Sequence, residues 1–261
     1  MKYGFIGCGN MGSAIAKALS QKTNSILISD RSGKAADLAT KLGCVYSDNN
    51  TIAQTCDRIF LAVKPQMMEE VLKPLRPILQ QRKPILISMA AGLTISRIEQ
   101  LSGTILPVIR IMPNTPVAIN CGMTLYCFNQ LINENILQDF LKDVSPCGQW
   151  DLIEEEKIDA AGVISGCGPA YMYMFMDALA EGAATCGIPK EKALVYAASA
   201  MIGSAKMVQQ SGQSPVQLKN AVCSPGGSTL AGVGVLENND FSKIIIDCVN
   251  AAYKRNQELG K

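Results

Sequence analysis

The segment that most constrains this chain is the glycine-rich turn Gly7-Cys8-Gly9-Asn10-Met11-Gly12, which lies between a short apolar run at residues 3–6 and a helix-forming run. This order of strand, Gly-x-Gly-x-x-Gly turn and helix is typical of a unit that binds a dinucleotide. Gly7 permits the tight turn, Gly9 lets a pyrophosphate lie against the backbone, and Gly12 allows close packing of helix on strand. The pattern therefore predicts a dinucleotide site, and the alternative is a turn that binds nothing.

The choice of dinucleotide depends on the residues after the second apolar run. Asp30 ends that run at about the distance, ~20 residues, where an acidic residue contacts the adenosine ribose. Asp30 favours NAD, whereas Arg31, Ser32 and Lys34 favour the 2′-phosphate of NADP. We expect NADPH as the cofactor, with NADH as the alternative.

Composition excludes several classes of partner. The net charge is +2 and no basic cluster is present, so neither nucleic acid nor a membrane surface is expected as a partner. No apolar run spans a bilayer and no signal peptide is evident, which favours the cytoplasm. The ten scattered cysteines form no C-x-x-C pair and are expected to be reduced.

The chain contains no histidine. This excludes a Ser-His-Asp or Cys-His nucleophile within the chain, as well as a histidine-ligated metal, and no metal site is predicted. Proton transfer must therefore use a lysine, a tyrosine, a carboxylate, a hydroxyl, water or the substrate itself.

The alternation of apolar runs and helical stretches predicts an α/β domain over residues 1–153, with a doubly wound parallel sheet. Its strands are expected at residues 3–6, 26–29, 44–46, 59–63, 85–88, 108–112, 123–128 and 148–152. Its helices are expected at residues 11–20, 33–42, 67–79, 94–101 and 132–144.

Residues 154–261 are expected to form an all-α domain that binds substrate and makes a dimer. Helices are predicted at residues 171–186, 190–210, 215–222, 228–236 and 241–259. Helices this apolar and this rich in small residues favour a homodimer in which they interlock, and the alternative is a compact monomeric bundle.

Ligands of such sheets bind at the carboxyl ends of the strands, where three further loops lie. Lys64, in Leu61-Ala62-Val63-Lys64-Pro65, either lies beside the cofactor or is simply an exposed lysine. The small residues of Ser88-Met89-Ala90-Ala91-Gly92 let a nicotinamide approach the backbone. Asn114, between two prolines, either orients an amide or belongs to a stiff turn.

In the helical half, Ser224-Pro225-Gly226-Gly227-Ser228-Thr229 resembles an anion-binding nest at a helix start. Such a site suits a substrate carboxylate, and the alternative is a helix cap with a glycine turn. Ser165-Gly166-Cys167-Gly168 also begins a helix, and either packs between the domains or lines the substrate pocket.

These motifs together resemble the pyrroline-5-carboxylate reductase family over essentially the full length of the chain. The matching stretches are GFIGCGNMG at 4–12, LAVKP at 61–65, SMAAG at 88–92, RIMPNTP at 110–116, SGCGPAY at 165–171 and LKNAVCSPGGSTLAGVGVLE at 218–237. The resemblance implies reduction of 1-pyrroline-5-carboxylate to L-proline by NAD(P)H, the last step of proline synthesis. It also implies a Rossmann domain, a dimer with exchanged C-terminal helices, and often a higher oligomer of dimers.

The resemblance also assigns individual residues. It places the cofactor at Ile6, Gly7, Cys8, Gly9, Asn10, Met11, Asn49, Ala62, Val63, Lys64, Pro65, Met89, Ala90 and Ala91, to which the residue patterns above add Gly12, Asp30, Arg31 and Asn114. Those expected to bind the substrate are Ser224, Gly226, Gly227, Ser228, Thr229 and Glu155, with Thr229, Ser224 and Lys64 as catalytic candidates. Some members of the family have Asp-Asn where this chain has Asn220-Ala221. Ala221 has no side-chain amide, so the amide contact expected at that position is absent.

Two other functions remain open from the sequence. A β-hydroxyacid-type dehydrogenase shares the N-terminal half, but its catalytic lysine motif is missing where this chain reads SGCGPAY. A non-catalytic, nucleotide-sensing oligomer needs the glycine turn but no anion nest facing the nicotinamide.

Overall fold

The computed structural model describes residues 1–31 and 33–259. Their contacts form two compact units: Met1–Pro169 together with the residues from Ala252 onward, and Ala170–Ala251. The first combines a sheet with helices, and the regular structure of the second is helical.

The sheet of the first unit has eight strands within these described ranges, in the order β3-β2-β1-β4-β5-β6-β7-β8. The strands are β1 Tyr3–Ile6, β2 Ile26–Ser29, β3 Val45–Tyr46, β4 Arg58–Leu61, β5 Ile85–Ser88, β6 Val108–Met112, β7 Gly122–Phe128 and β8 Gly148–Leu152. Strands β1 to β6 are parallel, as predicted, which confirms the doubly wound α/β class.

The expectation of a wholly parallel sheet is wrong at β7, which runs antiparallel to β6, and β8 then runs parallel to β7. The connection from β6 to β7 contains a short 3-10 helix, Thr115–Ile119, where a parallel pair would need a long crossover. The chain therefore reverses at this point.

The helices of the first unit cover both faces of the sheet. They are α1 Asn10–Leu19, α2 Lys34–Leu42, α3 Asn49–Thr55, α4 Met68–Arg82, α5 Ile95–Ser102, α6 Glu134–Val144 and α7 Glu155–Gly162, followed by the π-helical turn Val163–Cys167. Strand β4 shows the two-sided burial, because Ile59 and Leu61 belong to one apolar cluster and Phe60 to the other. Phe60 stacks on Phe5 of the neighbouring strand with ring centroids 4.5 Å apart.

Helix α3 was not predicted. It begins after Asp48, whose carboxylate accepts a hydrogen bond from the Thr51 amide at 2.9 Å. This capping pattern is the signal that could have located a helix of seven residues with little apolar periodicity.

The second unit contains most of α8 Gly168–Thr185, then α9 Lys190–Gln210, α10 Pro215–Val222, α11 Ser228–Asn238 and most of α12 Phe241–Leu259. Many large apolar side chains on these helices are more than half exposed, including Met174, Val195, Ile202, Val235 and Ile246. Helices with so much exposed apolar surface need a further surface to cover them. Across the described ranges, no helix has both the length and the apolar character needed to cross a bilayer.

Candidate active site

The glycine turn has the geometry expected of a pyrophosphate cradle. Gly7 has a φ of +95°, and a Cβ there would lie 2.6 Å from the Ala62 carbonyl oxygen. A Cβ on Gly12 would lie 2.7 Å from the Gly7 carbonyl oxygen, so this glycine holds α1 close to the sheet. A Cβ on Gly9 would meet nothing within 4 Å, which leaves space for a ligand against the backbone.

Helix α1 begins directly after Gly9, and no side chain among the described residues caps its first amides. The first amides of a helix have no partners within the helix, and they carry the positive end of its dipole. The open surface at Gly9 therefore faces donors suited to an anion, as a pyrophosphate requires.

A pocket of about 250 Å³ opens beside this turn, at the carboxyl ends of β1, β2 and β4. It brings together many of the predicted cofactor residues: Ile6, Gly7, Gly9, Asp30, Arg31, Asn49, Ala62, Val63 and Lys64. Ser29, Met67 and Val71 also line it and were missed by the sequence reasoning. Ser29 is the last residue of β2, so its place beside Asp30 was a usable signal, whereas Met67 and Val71 reach the pocket only through the packing of α4.

Asp30 and Arg31 have partners within the protein. One Asp30 carboxylate oxygen accepts a hydrogen bond from the Cys8 amide at 2.8 Å, which fixes the carboxylate against the glycine turn. Arg31 forms an ion pair with Glu70 at 2.5 Å, and both side chains are well exposed. An exposed pair of this kind contributes little to stability, so Arg31 is available to a phosphate at small cost. Of the other predicted 2′-phosphate contacts, Ser32 lies outside the described residues, as does the side chain of Lys34.

Asn49 and Lys64 both line the pocket. Asn49 is the first residue of α3, and its Oδ1 accepts a hydrogen bond from the Ser29 hydroxyl at 2.7 Å, which orients the amide. Lys64 is exposed and precedes the 3-10 helix Pro65–Met67, with Pro65 as the first residue of that helix.

Cys8 and Asn10 line a neighbouring groove along α1 and α2. Burial raises the pKa of the Cys8 thiol to about 12, and the nearby Asp30 carboxylate adds to the shift. The thiol is therefore neutral at physiological pH and is no nucleophile. Met11 is half-buried on α1.

The loop after β5 carries Met89, Ala90 and Ala91. The Met89 amide donates to the Leu61 carbonyl oxygen at 3.3 Å, so this loop lies beside the end of β4. Ala90 is buried in the core, and Met89 and Ala91 are half-buried. The sheet thus places the predicted nicotinamide loop next to the Ala62–Pro65 segment.

Asn114 is buried, and its side chain is engaged by the protein itself. Its Nδ2 donates to the Ser165 carbonyl oxygen at 2.9 Å, and its Oδ1 accepts from the Met123 amide at 2.9 Å. Asn114 thus ties the end of β6 to β7 and to the π-helical turn, and a contact with the cofactor stays a prediction.

Glu155 lies at the start of α7 in the first unit. Its Oε1 accepts a hydrogen bond from the Ile95 amide at 2.7 Å and lies 3.5 Å from an Arg110 nitrogen. The structure thus gives Glu155 partners within the fold, and its contact with substrate stays a prediction.

The predicted carboxylate site forms the start of α11 in the second unit. Gly226 has a φ of +72°, and the Gly227 amide donates to the Ser224 carbonyl oxygen at 3.0 Å, which makes the turn. Ser228 and Thr229 are the first residues of the helix, and both are exposed. Within the part of the chain that the structure describes, no side chain caps this helix start, so its first amides are available to an anion.

A dinucleotide-type pocket in a doubly wound sheet, followed by a helical unit with an anion-type turn, defines a class of NAD(P)-dependent oxidoreductases. Two family models match the chain. One, described as pyrroline-5-carboxylate reductase dimerisation, matches residues 155–259. The other, described as NADP oxidoreductase, coenzyme F420-dependent, matches residues 2–92.

Full-length relatives define the family more closely. The chain is 36% identical to pyrroline-5-carboxylate reductase of Escherichia coli, covering 100% of this chain and 98% of the relative. It is 35% identical to human pyrroline-5-carboxylate reductase 2, over 99% of this chain and 84% of the relative. The chain therefore belongs to the pyrroline-5-carboxylate reductase family.

Solved structures agree with this assignment. The Plasmodium falciparum pyrroline carboxylate reductase with NADP bound matches with a TM-score of 0.92 at 33% identity, over 100% of this chain and 98% of that chain. The Streptococcus pyogenes enzyme matches with the same TM-score and identity, over 99% of this chain and 98% of that chain. Two imine reductases, at 13% and 18% identity, share the fold.

Proposed function

We propose that this chain reduces 1-pyrroline-5-carboxylate to L-proline with NAD(P)H, as the last step of proline synthesis. The observation that carries the proposal is the open cradle at Gly9, in a chain that aligns end to end with this family of reductases. The residues at the site fit a dinucleotide, because a Cβ at Gly9 would occupy empty space and the first amides of α1 remain for the pyrophosphate.

The reaction needs no strong acid or base from the protein. When bound, the reduced nicotinamide supplies a hydride to the carbon of the C=N bond, and the protonated imine becomes the amine of proline. A protonated imine is already electrophilic, so the chain needs no strong acid, which agrees with its lack of histidine. Catalysis then rests on positioning and on exclusion of water.

The substrate carboxylate would be held at the start of α11. The amides of Ser228 and Thr229 donate to it there, whereas the Gly227 amide closes the turn on the Ser224 carbonyl oxygen, with Ser224 and Gly226 shaping that turn. The hydroxyl of Thr229 hydrogen-bonds with the ring nitrogen and so selects the face that accepts the hydride. Lys64 contributes positive charge at the cofactor pocket.

NADPH is the preferred form of the cofactor in this proposal. The Asp30 carboxylate already accepts a hydrogen bond from the Cys8 amide, and the exposed Arg31 can exchange Glu70 for a 2′-phosphate. Arg31→Ala tests this preference, because it should raise the KM for NADPH more than the KM for NADH.

The active form would be a homodimer with interlocked C-terminal helices, from which a higher oligomer can be built. The second unit supports this, because Tyr171, Phe175, Met201, Phe241 and Ile244 line an apolar cavity of about 430 Å³ with their neighbours. A second copy of the chain is the natural cover for such a surface.

Two further expectations stay proposals. A domain boundary between residues 153 and 154 is supported by the start of the dimerisation match at residue 155, although the contacts keep residues up to Pro169 in the first unit, and limited proteolysis tests it. A cytoplasmic location is supported by ten unpaired cysteines within the described residues, and cell fractionation tests it.

The test of the function is oxidation of NADPH, then of NADH, by the purified protein with 1-pyrroline-5-carboxylate, followed by nicotinamide absorbance. Substrate-dependent oxidation with L-proline as product supports the proposal. Folded protein that binds NADPH without turnover would contradict it, and would favour a hydroxy-acid substrate or a sensing role.

A further inference from the structure

Arg110, in the middle of β6, is almost completely buried and holds two carboxylates. Its Nη2 lies 2.6 Å from Oδ1 of Asp159, and its Nη1 lies 3.5 Å from Oε1 of Glu155. The arginine side chain is 2% exposed, whereas the two carboxylate side chains are 23% and 30% exposed. Both carboxylates are on α7, so the arginine fixes this helix against the sheet.

The same two carboxylate oxygens also hold the segment after β5. Asp159 Oδ1 accepts a hydrogen bond from the Gly92 amide at 3.4 Å, and Glu155 Oε1 accepts one from the Ile95 amide at 2.7 Å. Gly92 has a φ of +76°, in the left-handed region that favours glycine, and it ends the loop at residues 89–92. The position of that loop therefore depends on carboxylates that Arg110 orients.

The residue paired with Arg110 on the neighbouring strand is a neutral cysteine, which cannot replace the arginine charge. Cys127 lies directly opposite Arg110 in the β6–β7 ladder. Burial, with a further contribution from Glu155, raises the pKa of its thiol to about 12, so it is neutral at physiological pH. Without the guanidinium, the two carboxylates would repel each other in a partly buried site and would leave the backbone amides.

We propose that Arg110 is a positioning residue for hydride transfer, which acts through Asp159 and Glu155 to hold the loop at residues 89–92 against the nicotinamide. The inference rests on the proposed function, because that function makes this loop the nicotinamide contact. It also gives Glu155 a role in the reaction without a contact to the substrate.

Arg58 provides a matched control. It is also fully buried and paired with an aspartate, Asp143, at 3.1 Å. Among the described residues, Nε of both arginines has no hydrogen-bond partner. Arg58 is the first residue of β4, at the end of the sheet opposite the ligand-binding end. We expect its replacement to lower the stability of the protein without lowering kcat.

The experiment compares Arg110→Met, Arg110→Lys and Arg58→Met with the unchanged protein. The measurements are the unfolding midpoint, kcat and KM with 1-pyrroline-5-carboxylate, and the Kd values of NADPH and of its adenosine half, 2′,5′-ADP. We expect Arg110→Met to lower the kcat of folded protein by about 10- to 100-fold, the cost of a small misplacement. The Kd of 2′,5′-ADP should not change, Arg110→Lys should recover part of kcat, and Arg58→Met should lower only the midpoint.

Unchanged kcat in Arg110→Met would overturn the proposal, as would an equal loss of kcat in Arg58→Met. If Arg110→Met does not fold, Asp159→Asn is judged by the same criteria, because it removes the charge and keeps the shape. If the unchanged protein binds NADPH but does not turn over, the proposed function fails. The positioning role is then tested by binding alone. Arg110→Met must raise the Kd of NADPH more than it raises the Kd of 2′,5′-ADP, and Arg58→Met must not.

Discussion

Alanine at Gly9 should weaken cofactor binding without destabilising the fold. Gly9 has φ and ψ of −65° and −172°, which any L-residue adopts, and an added Cβ meets no atom within 4 Å. The substitution restricts the unfolded chain, which stabilises the fold by about 0.4–1 kcal/mol. It also replaces a tolerated helix cap by a poor one, which costs roughly the same amount. The net change in unfolding free energy should therefore be close to zero.

The neighbouring Gly12 provides the contrast. A Cβ there would lie 2.7 Å from the Gly7 carbonyl oxygen and 2.9 Å from the Ala62 Cβ. Such overpacking costs about 1–3 kcal/mol. The higher helix propensity of alanine offsets only about 1 kcal/mol of it. Gly12→Ala should therefore destabilise the protein, while Gly9→Ala should not.

The assay combines urea unfolding with fluorescence titration of NADPH. Gly9→Ala should unfold at the same urea concentration as the unchanged protein and bind NADPH at least about tenfold more weakly, a loss of about 1.4 kcal/mol, because the methyl group takes the space of the pyrophosphate. Normal NADPH affinity in Gly9→Ala would refute the reasoning, because it would place the pyrophosphate elsewhere. Equal destabilisation by both alanines would refute the packing argument.

Three further predictions concern other parts of the chain. Thr229→Ala should lower kcat far more than it weakens NADPH binding, as measured by steady-state kinetics and by titration. Equal losses of kcat and of NADPH affinity would contradict a role of Thr229 at the ring nitrogen. Burial raises the thiol pKa of Cys127 and of Cys147 to about 12, so the unfolded chain loses these protons first and stability falls as pH rises from about 9 towards 12. Urea unfolding should show a lower free energy of unfolding at pH 10 than at pH 8, by on the order of 1 kcal/mol per thiol, and Cys147→Ala should abolish the part due to Cys147. Ile244→Asp should shift the mass measured by light scattering towards the monomer, and an unchanged mass would place the dimer contact elsewhere.

The sequence predicted the sheet well where local pattern and burial agree. Apolar runs between glycines and polar residues located β1, β2, β5 and β6 to the residue, because each is short and bounded by strong turn signals. Helix α3 and the reversal at β7 were missed, since the first has a weak pattern and the second depends on the connection. Whether two consecutive strands run parallel or antiparallel depends on the segment that connects them, and apolar periodicity does not report on that segment.

The candidate site shows the same division between local and long-range information. The glycine turn, Asp30 and Lys64 were predicted from the sequence pattern, because each follows the carboxyl end of a strand, and such ends share one edge of the sheet. Asn49 was predicted from the family resemblance alone, and it lines the same pocket. No local pattern indicated that Arg110 would meet two carboxylates from a helix 45 and 49 residues later in the chain. An arginine within the apolar run of β6 was nevertheless a signal, because a buried charge requires a partner.

The glycine turn can receive a dinucleotide by its backbone alone, whereas the loop at residues 89–92 depends on distant side chains for its position. Binding of the cofactor and its correct placement for hydride transfer should therefore be separable by mutation.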